Sequence, residues 1–153
     1  MTLEIGDTIP SFDLPTDSEG RVSDADLKGK KVVLYFYPKD DTPGCTKEAQ
    51  AFRDSLADFE AAGVEIYGVS KDKPAKHDKF KAKYDLPFTL ISDEEGTLCE
   101  AFGVWVEKSM YGRKYMGIER STFLIDGGEV KTIWRKVKVN GHAEAVLAEA
   151  KSL

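Results

Sequence analysis

The run VVLYFY, residues 32–37, places the strongest constraint on how this chain folds. All six residues are apolar or aromatic, lysines precede them and Pro38 follows them. A strand with no polar face must be covered on both sides, so the run predicts a central strand of a sheet. The polar segment 38–46 then leads into an amphipathic helix, and a lone cysteine, Cys45, lies where strand gives way to helix.

The residues before Cys45 are typical of a helix start. Thr42 suits the N-cap, Pro43 the first helical position, and Gly44 a close approach of the backbone to another group. Cys45 then takes the third helical position, beside amide groups that have no partner within the helix. Such amides favour a thiolate, which indicates a reactive cysteine. The alternative is a buried, unreactive thiol, which is common for cysteine in general.

The helix end is too weak to ionise a thiol by itself. An ordinary cysteine has a pKa of about 8.5, and lowering that value to about 6 takes roughly 3.4 kcal/mol. A helix N-terminus supplies about 2 kcal/mol in favourable geometry. A reactive Cys45 therefore requires a nearby cation, and arginine stays charged when half buried. Arg120 opens the apolar strand 121–125, so we expect it at the sheet edge beside Cys45; the alternative is a surface charge at a strand end.

The remaining pattern predicts an α/β protein in which parallel crossovers precede an antiparallel hairpin. Strands are predicted at 12–14, 21–23, 32–37, 64–70, 88–91, 121–125 and 130–137. Helices are predicted at 23–28, from the start near Cys45 to Gly63, at 74–84, at 96–102 and after an N-cap at Asn140. Residues 103–120 are predicted to form a long loop. This order favours a mixed central sheet with helices on both faces.

Composition argues against several other kinds of protein. A net charge of −5 disfavours binding to nucleic acid or to an anionic membrane. No apolar run approaches the roughly 20 residues of a membrane helix, and residues 1–10 lack a signal-peptide pattern, so we expect a cytoplasmic protein. Two cysteines do not make a disulfide scaffold. His77 and His142 lack partners at metal-ligand spacing, so no metal site is expected.

Two stretches give the chain a family resemblance. The pattern from Pro38 to Cys45, within YFYP…TPGCT, resembles the peroxiredoxin active-site motif. The stretch FGVW…GIERSTFLID, within 102–126, is similar to the bacterioferritin comigratory protein or peroxiredoxin Q subfamily. The resemblance runs from about Gly6 to the final helix. It implies a single thioredoxin-like domain over 1–153, and a thiol peroxidase for hydrogen peroxide and organic hydroperoxides without metal or organic cofactor.

The same resemblance implies roles for five residues. Cys45 is the peroxidatic nucleophile that becomes a sulfenic acid. Thr42 holds the peroxide, and Arg120 stabilises the thiolate and the charge on the leaving oxygen. Pro38 shields the site from water, and Glu48 orients the arginine. For Thr42 the simpler alternative is a plain N-cap, and for Glu48 it is an exposed helical acid.

The sequence departs from the family pattern at Gln50. Many members carry a second, resolving cysteine there, five residues after the first. Two routes remain open: Cys99 could resolve Cys45 after local unfolding, or an external thiol could attack the sulfenic acid. We favour the external thiol, which could be thioredoxin, glutaredoxin or a small thiol, since nothing near Cys99 suggests activation. The resemblance also implies a monomer or weak homodimer.

Two other functions compete with the peroxidase. A thioredoxin-like disulfide reductase is disfavoured, because the second cysteine of a C-x-x-C pair is missing after Cys45. A non-catalytic redox-sensing or binding module on the same fold stays open. It would be indicated by slow oxidation of Cys45 and by the absence of a reductant that recycles it.

Overall fold

The computed structural model describes residues 3–153, and its centre is a five-stranded mixed sheet. The strands are β1 (Asp13–Pro15), β2 (Arg21–Ser23), β3 (Lys31–Phe36), β4 (Val64–Ser70), β5 (Thr89–Ser92), β6 (Trp105–Met110), β7 (Arg113–Ile118), β8 (Ser121–Asp126) and β9 (Glu129–Trp134). The helices are α1 (Asp24–Leu27), α2 (Pro43–Asp54), α3 (Leu56–Ala61), α4 (Pro74–Tyr84), α5 (Thr97–Ala101) and α6 (His142–Lys151).

The central position predicted for the VVLYFY strand is confirmed. The sheet order is β5-β4-β3-β8-β9, with β3, β4 and β5 parallel and with β8 and β9 antiparallel to their neighbours. Every residue from Val32 to Phe36 has 0 % of its surface exposed. Successive side chains point to opposite faces of a strand, so β3 supplies both halves of the core.

Helices cover both faces of this sheet, as predicted. The front layer, as we call the face that carries Cys45, is packed by α2, α3, α4 and α6 through residues such as Phe52, Phe80 and Val146. The back layer is packed by α1 and α5 through residues such as Leu27. The sheet therefore separates two apolar layers, and a side chain belongs to one or the other.

The predicted continuous helix to Gly63 is wrong. The helix α2 ends at Asp54, and α3 begins after Ser55, whose ψ of 1° is not helical. The amide of Ser55 is shared between the carbonyls of Ala51 and Phe52, which is typical of a helix terminus. The apolar spacing nevertheless identified the buried face, because side chains on both sides of the break enter the front layer.

The predicted loop at 103–120 is also wrong, because β6 and β7 form an antiparallel hairpin there. Tyr111 and Gly112 make its turn with φ values of +52° and +79°. Positive φ at both central residues is the geometry of a tight two-residue hairpin turn. Most of the hairpin is exposed on both faces, so its sequence lacks the alternation of apolar and polar residues that marks a half-buried strand.

The last helix begins one residue later than predicted. Gly141, not Asn140, occupies the N-cap, with a φ of +74° that suits glycine. His142, the first residue of α6, is buried and its Nε2 lies 2.7 Å from the Thr122 hydroxyl. Burial and the charge of Arg120 lower the pKa of His142 to about 4, so it is neutral at pH 7. No helix within residues 3–153 is long and apolar enough to cross a membrane.

Candidate active site

The thiol of Cys45 lies in the first turn of α2, where the sequence places it. Thr42 has the extended backbone of an N-cap, and Pro43 is the first helical residue. The first helical bond runs from the amide of Thr46 to the carbonyl of Thr42, at 2.8 Å. Cys45 is 2 % exposed and packs in the front layer. The sulfur is therefore enclosed by protein and lies beside unpaired helical amides.

The Thr42 hydroxyl does not cap the helix. It donates a hydrogen bond to the carbonyl of Lys39 at 2.9 Å, and within the described chain it makes no capping bond to a helical amide. Thr42 is thus the N-cap by its backbone, as the simpler interpretation has it, but its hydroxyl takes no part in capping. Because the hydroxyl proton of Thr42 is already donated to Lys39, the oxygen can act towards a further group only as an acceptor.

Arg120 reaches Cys45 from the start of β8. Its Nη2 lies 3.3 Å from the sulfur, and its Nη1 donates to Oε1 of Glu48 at 2.7 Å. A Cβ built on Gly44 would lie 3.2 Å from the same Nη2, so a larger residue at this position would push the guanidinium aside by a few tenths of an ångström. One guanidinium thus joins a thiol and a carboxyl group that are 75 and 72 residues away in sequence.

Glu48 is a buried carboxyl group, not the exposed helical acid of the simpler interpretation. Its side chain is 1 % exposed, and Oε2 has no hydrogen-bond partner among residues 3–153. Burial raises the pKa of Glu48, the charge and hydrogen bond of Arg120 offset only part of that rise, and the resulting pKa is about 7. Near neutral pH, Glu48 therefore exchanges between a neutral acid and a carboxylate bound to Arg120.

This raised pKa gives a prediction for stability. Folding holds a proton on Glu48 between pH 4.5 and about 7, where the unfolded chain has lost it. The stabilising contribution is therefore complete below pH 4.5 and is lost as pH rises through about 7. Between pH 4.5 and a pH above about 7, the unfolding free energy of Glu48→Gln should increase relative to that of wild type by up to about 3 kcal/mol. Urea unfolding of both proteins along the pH series measures it, and a pH-independent difference would contradict it.

Lys108 lies near this site, and Pro38 lies in the segment that leads to it. Pro38 is half-buried and follows β3 at the start of the segment that leads to Cys45. Lys108 of β6 is half-buried, and its pKa is lowered by burial and then by the positive charge of Arg120. The hairpin therefore contributes a second cation near the site. Lys108 was not predicted from the sequence, because a loop was expected at 103–120.

Cys99 is far from this arrangement in the fold. It is fully buried in the back layer, and its amide donates to Asp93 at 2.8 Å. Burial and the negative charge of Asp93 raise the pKa of the Cys99 thiol well above its usual range. The two free cysteines thus lie on opposite faces of the central sheet. In this fold Cys99 is a core residue.

A buried polar cluster before α2 was not predicted from the sequence either. Asp40, in the segment between β3 and Cys45, contacts His77 of α4 and Tyr37, and all three side chains are buried. A signal for His77 existed: it lies three residues before Phe80, on the face of α4 that packs against the sheet. The many lysines of α4 obscured that face.

Comparison with known proteins shows the family to which this chain belongs. A family model described as the AhpC/TSA family matches residues 5–133, a range that includes Cys45, Glu48 and Arg120. The chain belongs to this family. A peroxiredoxin Bcp of Bacillus subtilis is 52 % identical over 100 % of this chain and 98 % of its own length. Peroxiredoxins are thiol-dependent peroxidases, and so is this member of the family.

Solved structures show the same fold. A bacterioferritin comigratory protein of Xanthomonas campestris, solved in a study of its alkyl peroxide reduction activity, has a TM-score of 0.88 and 47 % identity, covering 92 % of this chain and 90 % of that chain. A PrxQ variant of Xylella fastidiosa has a TM-score of 0.94 and 41 % identity, covering 99 % and 98 %. The thioredoxin-like fold of this peroxiredoxin, predicted from the resemblance, is confirmed.

Proposed function

We propose that Cys45 is the peroxidatic nucleophile of this peroxiredoxin, and that hydrogen peroxide and alkyl hydroperoxides are its substrates. The observation that carries the proposal is the 3.3 Å contact between Arg120 Nη2 and the Cys45 sulfur at a helix N-terminus. A cation and unpaired amides at one sulfur supply the stabilisation that the helix end alone lacks. A reactive thiol at this position requires both, since about 2 kcal/mol from the helix end does not cover the roughly 3.4 kcal/mol of ionisation.

In the first half-reaction the Cys45 thiolate attacks the terminal oxygen of the peroxide. An S–O bond forms and the O–O bond breaks; the sulfur is oxidised by two electrons to a sulfenic acid, and the leaving oxygen takes a proton to become water or an alcohol. Arg120 stabilises the thiolate first and the leaving oxygen later, while Glu48 holds the guanidinium. The Thr42 oxygen accepts a hydrogen bond from the peroxide O–H, because its own proton is donated to the carbonyl of Lys39. Pro38 excludes water.

In the second half-reaction an external thiol recycles Cys45. Its sulfur attacks the sulfenic sulfur, water leaves, and a mixed disulfide forms; a second thiol then releases reduced Cys45 as the reductant's own disulfide forms. Gln50 cannot take part. Cys99 lies across the sheet, so a disulfide with Cys45, which needs Cα atoms within about 7 Å, would require local unfolding of the core. We therefore propose thioredoxin, glutaredoxin or a small thiol as reductant.

An exposed aromatic side chain of the β6–β7 hairpin supports organic hydroperoxides as substrates. Tyr115 pairs with Lys108 across β6 and β7 and is 45 % exposed, so it offers apolar surface to an organic peroxide beside the site. The Xanthomonas relative supports the same substrate class.

Because Cys45, Glu48 and Arg120 meet within one chain, a monomer or weak homodimer is sufficient to form the site. Reduced Cys45 requires a reducing compartment, for which we propose the cytoplasm.

Mass spectrometry after one equivalent of peroxide tests the proposal. With a sulfenic-acid reagent present, the wild type should carry the adduct on Cys45. Cys99→Ser should carry the same adduct and keep thiol-dependent turnover within about twofold, because Cys99 only packs the back layer. Rapid formation of a Cys45–Cys99 disulfide, with turnover lost in Cys99→Ser, would show that resolution is internal. Slow oxidation without recycling would favour the redox-sensing module.

A further inference from the structure

The loop 38–42 carries the chain from β3 to the helix that bears Cys45, and it is fastened to α4 by a buried polar pair. We propose that the pair Asp40–His77 is a latch: closed, it positions Cys45 for peroxide, and its release admits the reducing thiol. His77 is thus a positioning residue that acts through Asp40. The inference rests on the proposed chemistry of Cys45, and it names the two side chains that hold the loop closed.

The need for release follows from the burial of the sulfur. Cys45 is 2 % exposed, and Arg120 occupies one side of it at 3.3 Å. A peroxide brings only two oxygen atoms to the sulfur. An attacking thiol must instead approach opposite the breaking S–O bond and bring its own carbon chain. The first turn of α2 must therefore move before an external thiol can reach the sulfenic acid.

The latch consists of three contacts, all inside the protein. Nδ1 of His77 lies 2.6 Å from Oδ2 of Asp40, and both side chains have 0 % exposure. Nε2 of His77 lies 3.0 Å from the carbonyl of Ile91. The Tyr37 hydroxyl donates to the other carboxyl oxygen of Asp40. The loop, α4 and strand β5 are thus joined through one imidazole.

The protons of this cluster are fixed by its acceptors. A carbonyl can only accept, so Nε2 of His77 carries a hydrogen for Ile91. The Tyr37 hydroxyl supplies a second hydrogen to Asp40. A third hydrogen lies between Nδ1 of His77 and Oδ2 of Asp40. The hydrogen bond between these two atoms exists whichever of them carries the hydrogen. Removing the imidazole leaves a buried carboxyl group short of a partner, which strongly disfavours the closed loop.

A second contact between the same loop and α4 is exposed and makes a natural control. Asp41 accepts hydrogen bonds from Lys83 and from the Tyr84 hydroxyl, each at 2.8 Å. The Lys83 and Asp41 side chains are 56 % and 41 % exposed, so water competes for both. Exposed pairs of this kind contribute little to stability. The buried contact of Asp40 should therefore stabilise the closed state more than this exposed contact does.

The latch is connected to Cys45 through the loop itself. The hydroxyl of Thr42 binds the carbonyl of Lys39, and the carbonyl of Thr42 accepts the first hydrogen bond of α2. These two bonds join the loop to the first turn of α2 as one connected segment. When the loop leaves α4, Asp40 carries Lys39 and Thr42 with it, and the first turn of α2 moves together with Cys45.

The two half-reactions, followed separately by rapid mixing, test the latch. His77→Ala should slow the reaction with hydrogen peroxide by about tenfold, because the nucleophile is misplaced. The same variant should speed reduction of the preformed sulfenic acid by dithiothreitol several-fold, because the sulfur is more accessible. Lys83→Ala, the exposed control, should stay within about twofold of wild type in both steps.

Asp40→Asn provides the conservative variant. Its amide can donate to Nδ1 of neutral His77, and its carbonyl can accept from Tyr37, so the latch keeps its hydrogen bonds without charge. Both rates should therefore lie close to wild type. If His77→Ala does not fold, His77→Leu takes its place, because leucine fills the space of the imidazole and cannot bond to Asp40. Two rates that fall together in the His77 variant, or neither changing, would overturn the latch. Absence of the sulfenic acid in wild type would instead overturn the proposed function.

Discussion

Cys45→Ser is expected to lose thiol-dependent peroxide turnover by at least about ten-thousand-fold, to the level of the uncatalysed reaction. The hydroxyl of serine remains protonated at pH 7 and is a far weaker nucleophile towards peroxide than a thiolate. Serine is nearly the same size, so the ion pair of Arg120 with Glu48 at 2.7 Å should survive. Peroxide consumption coupled to oxidation of the thiol measures the loss.

The matched control is the other cysteine of the chain. Cys99→Ser changes the same atom in the back layer, away from the Arg120 contact, and should keep its turnover. Both variants should give the wild-type circular dichroism spectrum, which separates lost chemistry from lost folding. Turnover retained in Cys45→Ser and lost in Cys99→Ser would move the nucleophile to the opposite face of the sheet.

Much of the fold was predictable because its centre is apolar and its helices have a single buried face. The run at 32–37 could only be a strand covered on both sides, and the spacing in α2 and α4 matched helices on a sheet. The exposed hairpin carried no such signal. Neither of its faces is buried, so no alternation of apolar and polar residues marked its strands.

Site residues were predictable where local chemistry required a partner. The helix end supplies too little free energy to ionise the Cys45 thiol, so the sequence predicted a nearby cation. That cation is Arg120, 75 residues away. Nothing in the sequence around Asp40 or His77 required a distant partner in this way. An aspartate in a turn and a histidine among lysines are both ordinary at a surface, and their contact spans 37 residues. Only the packing of α4 against the sheet brings the two side chains together.

Arg120→Ala is the second change with a large expected effect. We expect the rate constant for the reaction of Cys45 with hydrogen peroxide to fall by about 100- to 1,000-fold, the usual loss when one preorganised donor to a developing charge is removed. The guanidinium contacts the sulfur at 3.3 Å, and water that enters in its place cannot reproduce two fixed donors. Rapid mixing of reduced protein with peroxide measures the rate constant.

The stability cost of the same change should be modest, for a reason specific to Glu48. The charge and hydrogen bond of Arg120 are the influences that lower its pKa, so their removal raises that pKa above about 7 and keeps the buried acid neutral at pH 7. No uncompensated charge is left inside the protein. Lost activity in Arg120→Ala with a loss of only about 1–3 kcal/mol of unfolding free energy, for the hydrogen bond that Glu48 no longer makes, is therefore the expected pair of results.

Arg120→Lys and Glu48→Gln separate the two contacts of the guanidinium. A lysine ammonium keeps the charge but cannot fix two donors in one plane, so its rate constant should lie between alanine and wild type. Glutamine at position 48 still accepts from Nη1, so Glu48→Gln should lose far less than Arg120→Ala. If Arg120→Ala reacts within about threefold of wild type, the 3.3 Å contact is structural only, and the helix amides with Lys108 must stabilise the reacting sulfur.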